Sequence, residues 1–190
     1  MISPAKLFFC ICYHLAMNLI YITGISGAGK STVQQELQRR GYTAYDADEH
    51  DITLWYNIKT GQRTDEPDET TKNTSKWVRD HEWRMSEARL REIAQEHPDE
   101  PVFICGTSSN RHSLFHLFKK IFCLTLDQET LKHRLATRDT NNFGKSEAQL
   151  NNILNWHEVS VEEDKKSGAI LVDATKPLNE VVEEILRLTQ

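Results

Sequence analysis

With 190 residues, the chain is long enough for one well-buried domain and short for two. Hydrophobic residues make up 38% and charged residues 27%, an ordinary balance for a globular protein in water. The net charge of −5 argues against a surface built mainly to grip nucleic acid, which calls for a basic excess.

The first sixteen residues, MISPAKLFFCICYHLA, place a lysine before an apolar stretch that is too short to span a bilayer as a helix. They read as an appended segment, with the domain proper starting at Met17 and running over 17–190. Cys10 and Cys12 form a lone C-x-C, which does not make a zinc site, while Cys105 and Cys123 sit in strand-like apolar runs as small buried hydrophobes of a reducing cytosol. The expected location is therefore cytoplasmic, with no membrane partner.

Apolar, β-branched or aromatic runs predict strands over 18–23, 43–46, 102–105, 121–126 and 169–173. Their near-continuous apolar character suits parallel strands covered on both faces. Between them lie helical patterns. One spans 75–97 and ends at His-Pro. A second, over 146–166, aligns Leu150, Ile153, Leu154, His157 and Val161, with Ser146 and Gln149 as a capping box. The last repeats Leu178, Val181, Val182, Ile185 and Leu186 behind Pro177. Alternating strands and helices predict an α/β fold, a three-layer α/β/α sandwich on a parallel sheet, with ligands outside the carboxyl ends of the strands.

The first strand runs into Gly24-Ile25-Ser26-Gly27-Ala28-Gly29-Lys30-Ser31, a full G-x-x-x-x-G-K-[ST] pattern in its strand–loop–helix setting. The glycines let backbone amides converge, and the helix start adds unpaired N–H groups and a positive dipole end. Lys30 supplies a full charge for β- and γ-phosphates, and Ser31 offers a hydroxyl to Mg²⁺. The nucleotide-binding candidates are Gly24, Ser26, Gly27, Ala28, Gly29, Lys30, Ser31 and Thr32.

The second strand ends in TAYDADEH, where Asp46 and Asp48 stand two apart and point to one side. They read either as a solvated acidic turn or as a working pair, one linked to Mg²⁺ and the other holding the proton of an acceptor hydroxyl. Asp127, at the end of the fourth strand, opens DQETLKHRL as a helix N-cap rather than a metal ligand. Arg134 and Arg138 share one helix face before a turn-rich segment ending in Lys145. They read either as solvated arginines or as part of a flap that spreads positive charge around a transferring phosphoryl group. VDATKPL after the fifth strand is either a simple connection or a backbone contact to a base.

Together GISGAGKST, the DAD pair, R-x-x-x-R before a short flap and D-A-T-x-P-L resemble the small P-loop kinases of the adenylate kinase and shikimate kinase superfamily, over roughly 17–190. The resemblance implies a five-stranded sheet ordered 2-3-1-4-5, with ATP as donor and Mg²⁺ as its metal. It also implies Asp46 and Asp48 at acceptor and metal, Arg134 and Arg138 at a short lid over 138–146, and residues 173–177, including Lys176 and Pro177, beside adenine. DADEH and NIKTGQ are loosely similar to gluconate kinases, and the long lid of many adenylate kinases is absent.

Acceptor specificity is expected in the insert 47–101, which carries Trp55, Tyr56, Trp77, Arg79, His81, Trp83 and Arg84. WVRDHEWR is either a helix with a core Trp77 and solvated arginines, or a surface that stacks a ring and pairs with an anion. After the third strand, Gly106, Thr107, Ser108, Asn110 and Arg111 sit at the sheet edge. The acceptor-binding candidates are Trp83, Arg84, Gly106, Asn110 and Arg111. The expected activity is ATP-dependent phosphotransfer to a small molecule, either a nucleoside or nucleotide, or alternatively a polyhydroxy or sugar acid, by a monomer or homodimer. The reading from another class is a regulatory ATP-binding module that passes phosphate to nothing.

Overall fold

The computed structural model describes residues 17–65, 68, 75–139, 144–145 and 147–190. Residues 1–16, read from the sequence as an appended segment, most of the tip of the expected flap and Ser146, the expected cap, lie outside the described residues. In chain order the elements are β1 (Leu19–Gly24), α1 (Lys30–Arg39), β2 (Thr43–Asp46), β3 (Thr53–Asn57), α2 (Ser75–Asp80), β4 (His81–Met85) and α3 (Glu87–Glu96). They continue with β5 (Val102–Cys105), α4 (Arg111–Leu114), β6 (Lys120–Thr125), α5 (Gln128–Thr137), α6 (Glu147–Lys166), β7 (Ile170–Asp173) and α7 (Leu178–Thr189).

Five strands form one parallel sheet in the order β2-β5-β1-β6-β7. Counting only the strands of this sheet, the order is 2-3-1-4-5, as the resemblance implies. All six residues of β1 are buried, and Leu19, Ile20, Tyr21 and Ile22 alternate between two apolar cores. Ile20 and Ile22 pack with Val33 and Leu37 of α1 and with Val181, Val182 and Ile185 of α7. Leu19 and Tyr21 pack on the other face with Leu90 and Ile93 of α3 and with Phe115 and Phe118. At about 1.5–3 kcal/mol for each fully buried aliphatic side chain, this two-sided burial is why β1 reads as a continuous apolar run.

The expected helix over 75–97 is a correction. Only Ser75–Asp80 and Glu87–Glu96 are helical, and His81–Met85 is a strand. It pairs antiparallel with β3, with Trp55 opposite Trp83 and Thr53 opposite Met85. Cross-strand aromatic pairing outweighs the weak helical pattern of HEWRM. Ser86 then restarts the helix, its backbone extended and its hydroxyl accepting from Arg89 N at 3.3 Å. Asn110 fastens the hairpin to the sheet edge by donating to Met85 O (3.0 Å) and accepting from Met85 N (2.9 Å). Asp127 caps α5 as the sequence suggests, accepting from Thr130 N at 2.8 Å. These bonds hold its carboxyl below the usual carboxylate range.

Asp164 of α6 is fully buried and ties three elements together. Its Oδ1 accepts from Arg111 Nε and contacts His112 Nε2, both at 2.7 Å, and its Oδ2 lies 3.6 Å from Cys123 Sγ on β6. The Asp164→Ala variant leaves the Arg111 guanidinium without its buried counter-charge, so we expect a loss of about 3–5 kcal/mol of stability. Urea unfolding checks this, and a loss under about 1 kcal/mol, the scale of an exposed pair, would show that the cluster is peripheral.

Candidate functional site

β1 delivers the chain into the loop at the carboxyl edge of the sheet, and α1 begins at Lys30. Gly29 precedes the helix in the left-handed region, at φ 100°, where a Cβ would be strained. The Lys30 ammonium folds back on the loop, donating to Gly24 O at 2.9 Å and Ile25 O at 3.0 Å. Burial lowers the Lys30 pKa, and the Asp48 and Asp46 carboxylates oppose that shift.

One residue along α1, Ser31 Oγ donates to Asp46 Oδ2 at 2.8 Å. The other oxygen of Asp46 accepts from the backbone N–H of Asp48 at 3.0 Å, and Asp48 Oδ1 accepts from Trp83 Nε1 at 3.1 Å. A continuous relay, Ser31–Asp46–Asp48–Trp83, thus runs from the glycine loop to the β3–β4 hairpin. Gly106, at the end of β5, makes room for it, because a Cβ there would collide with Ala47 between the two aspartates.

Arg134 of α5 and Arg138 close the other side; Arg138 does not continue the expected helix face, because it stands just past the helix end with an extended backbone. Arg134 donates to Ala28 O (3.2 Å) and Ala174 O (2.7 Å), joining the glycine loop to the turn after β7. Arg138 Nη1 reaches Ser26 Oγ at 3.3 Å, and burial lowers its pKa. A cleft of about 530 Å³ opens among these groups. Ser26 to Thr32, Asp46, Asp48, Gly106, Arg134, Arg138 and Lys176 all line it. Gly24 contributes its carbonyl to Lys30, and Pro177 stands next to the lining as the N-cap of α7. The volume suits a ligand of nucleotide size.

A second cavity, of about 380 Å³, adjoins the first and shares Asp48 with it. Trp83 lines it, together with Asp51, Trp55, Arg63 and Asp65. His50 and Asp51 both take φ of 57°, a conformation that costs a non-glycine residue about 1–2 kcal/mol. The other acceptor candidates are engaged elsewhere. Arg84 lies 5.3 Å from the centroid of the Tyr56 ring. Asn110 is held by Met85, and Arg111 by Asp164 and Ser160. Asp51, Arg63 and Asp65 were not legible as site residues. The signal for them was the polar turn NIKTGQ, which marks TLWYN as one arm of a hairpin and folds Arg63 back to bridge with Tyr56.

No three His, Cys, Asp or Glu side chains converge on a metal position among the described residues. The Ser31 hydroxyl and Asp46 carboxylate are hard oxygen donors held together at the phosphate loop. This pairing fits Mg²⁺, which keeps most of its waters and takes phosphate oxygens.

A glycine-rich phosphate loop at the carboxyl edge of a 2-3-1-4-5 parallel sheet defines a P-loop nucleotide-binding fold. A family model described as AAA domain matches residues 20–155, and the chain belongs to that family. No curated protein sequence matches it. Among solved structures the fold is similar to a shikimate kinase from Acinetobacter baumannii in complex with shikimate. That likeness has 17% identity and a TM-score of 0.59, and it covers 97% of this chain and 96% of that one. It is also similar to a gluconokinase from Sinorhizobium meliloti 1021, at 19% identity, TM-score 0.53 and 92% of each chain. A deoxyadenosine kinase from M. mycoides matches at 15% identity and TM-score 0.51, over 90% of this chain and 97% of that one. The neighbours are thus small P-loop kinases, and the likeness is one of fold. No helix among the described residues is long and apolar enough to cross a membrane.

Lys30→Ala is expected to cut nucleotide turnover by at least ~10²-fold, the usual cost of losing one preorganised donor. Steady-state rates near the parent's would contradict the role given to the loop. Asp46→Asn is expected to weaken Mg²⁺–ATP binding by about tenfold while metal-free ATP binds as before. Calorimetry with and without Mg²⁺ reads the difference.

Proposed function

We propose that the chain transfers the γ-phosphoryl group of ATP to a hydroxyl of a small molecule. The observation that supports this reading best is the Ser31–Asp46–Asp48–Trp83 relay, which links the phosphate loop to a second ligand-sized cavity. A protein that only bound or hydrolysed nucleotide would have no use for the second cavity.

In this reading residues 17–190 are the kinase domain, with 47–101 as its acceptor-binding insert and 138–146 as a short lid. The loop amides and Lys30 bind the β- and γ-phosphates, and Lys30 leaves its two carbonyl partners to do so. The acceptor oxygen forms a bond to the γ-phosphorus as the bond from that phosphorus to the β–γ bridging oxygen breaks, and ADP leaves with the electron pair. Asp48, which borders both cavities, takes the acceptor proton, and Asp46 holds Ser31 and the Asp48 backbone in place. Ser31 and Asp46 would hold Mg²⁺, which would supply charge neutralisation on the phosphates. Arg134 and Arg138 add positive charge on the opposite side, and Lys176 and Pro177 flank the base. The nucleoside, nucleotide and sugar-acid acceptors expected from the sequence all offer the hydroxyl that this chemistry needs, and the working compartment is the cytoplasm.

A screen for acceptor-dependent ADP release tests the proposal. A rate that rises with one class of hydroxyl compound supports it, and a slow rate indifferent to every acceptor contradicts it in favour of a regulatory module. With an acceptor in hand, Arg138→Ala should lower phosphoryl transfer by ~10²-fold or more while ATP affinity falls by less than about tenfold. Equal transfer rates in variant and parent would remove the lid from the mechanism.

A further inference from the structure

We infer that the second cavity takes a cationic acceptor, a hydroxyl-bearing amine such as an amino sugar or amino alcohol, rather than an acid or a phosphate ester. The inference rests on the kinase reading for the reaction, but not for the binding.

The charge of the wall is the first observation. Among the described residues, four carboxylates line the cavity: Asp48, Glu49, Asp51 and Asp65. One guanidinium faces them, that of Arg63, and it is already paired with Asp51 at 3.2 Å. Setting Asp48 and His50 aside, the described lining carries two negative charges in excess, the three carboxylates of Glu49, Asp51 and Asp65 against the one guanidinium of Arg63. A sugar acid or a nucleoside monophosphate would bring a further anion into this field, and like charges at such range repel. An ammonium group would be drawn in.

The second observation is aromatic. Trp55 and Trp83 line the same cavity, with ring centroids 5.1 Å apart and planes inclined by 51°. Indole faces attract cations, and the pull grows when carboxylates stand beside them. Trp83 is held in place by its N–H bond to Asp48.

The third observation points to a ligand independently of charge. Thr53, only 2% exposed, lines the cavity, and its hydroxyl has no hydrogen-bond partner. The Trp55 N–H and the Thr64 hydroxyl, in the same wall, are also buried without one. Buried polar groups without partners are costly, so three in one lining are groups that a polyhydroxy ligand satisfies. Carboxylates and indoles thus recognise the amine, and the unpaired donors recognise the hydroxyls.

The test compares glucosamine, glucose and gluconate, one skeleton bearing an ammonium, no charge or a carboxylate, within a wider panel of amino alcohols, nucleosides and sugar acids. Binding to the full chain is read by tryptophan fluorescence and calorimetry without nucleotide, and ADP release is read separately. The expected result is that at least one amine binds about tenfold or more tightly than its uncharged and acidic counterparts. Raising salt from about 0.05 M to about 0.5 M should weaken that binding but not the binding of an uncharged compound. Asp65→Asn should weaken the amine selectively, and the salt series carries the test if that variant fails to fold. A neutral or acidic compound binding as well as its amine, or no amine binding at all, overturns the inference. The two readings fail separately. An amine that binds while ADP release stays indifferent to every compound in the panel removes the kinase proposal and leaves the site. ADP release with an acid or a nucleoside alone does the reverse.

Discussion

The hydrogen bond from Ser31 to Asp46 organises everything else at the carboxyl edge of the sheet. It joins the first turn of α1, which is fixed by the glycine loop, to the end of β2, which is fixed by the sheet. The remaining oxygen of Asp46 sets the backbone of Asp48, and through it the Trp83 side chain of the hairpin. One carboxylate therefore aligns a phosphate loop, a titratable pair and an aromatic wall. Its position is possible because β2 is the edge strand of the sheet and ends at Asp46, and because Gly106, just past the neighbouring strand, leaves space for Ala47.

The Lys30 ammonium, buried in the loop, needs acceptors, and Gly24 and Ile25 supply them. In the proposed reaction phosphate oxygens would take the place of those carbonyls, and a charged acceptor strengthens such a bond. Arg134 is more committed, since it links Ala28 to Ala174 and so braces the cleft. Arg138 reaches the loop at Ser26 Oγ, at 3.3 Å.

Most of the fold was legible in the sequence because its signals are local. The apolar runs of β1, β5 and β6 and the periodicity of α7 each reflect burial of contiguous residues. The phosphate loop was legible for the same reason, since eight consecutive residues carry it. The hairpin was not, because Trp55 and Trp83 pair across 28 positions and the intervening pattern imitates a helix. The same non-local pairing brings Asp51, Arg63 and Asp65 to one cavity. Asn110 and Arg111 looked like free polar groups at the sheet edge, whereas the fold uses them to hold Met85 and the buried Asp164. Distant partners of that kind leave no mark on the residues beside them.

The central claim is that Ser31 and Asp46 act as one unit in holding the metal-bound nucleotide. A double-mutant cycle of Ser31→Ala and Asp46→Ala, read as Mg²⁺–ATP affinity by calorimetry, tests it most directly. Coupling of about 1 kcal/mol or more is the predicted result, and additivity within about 0.3 kcal/mol would contradict the account.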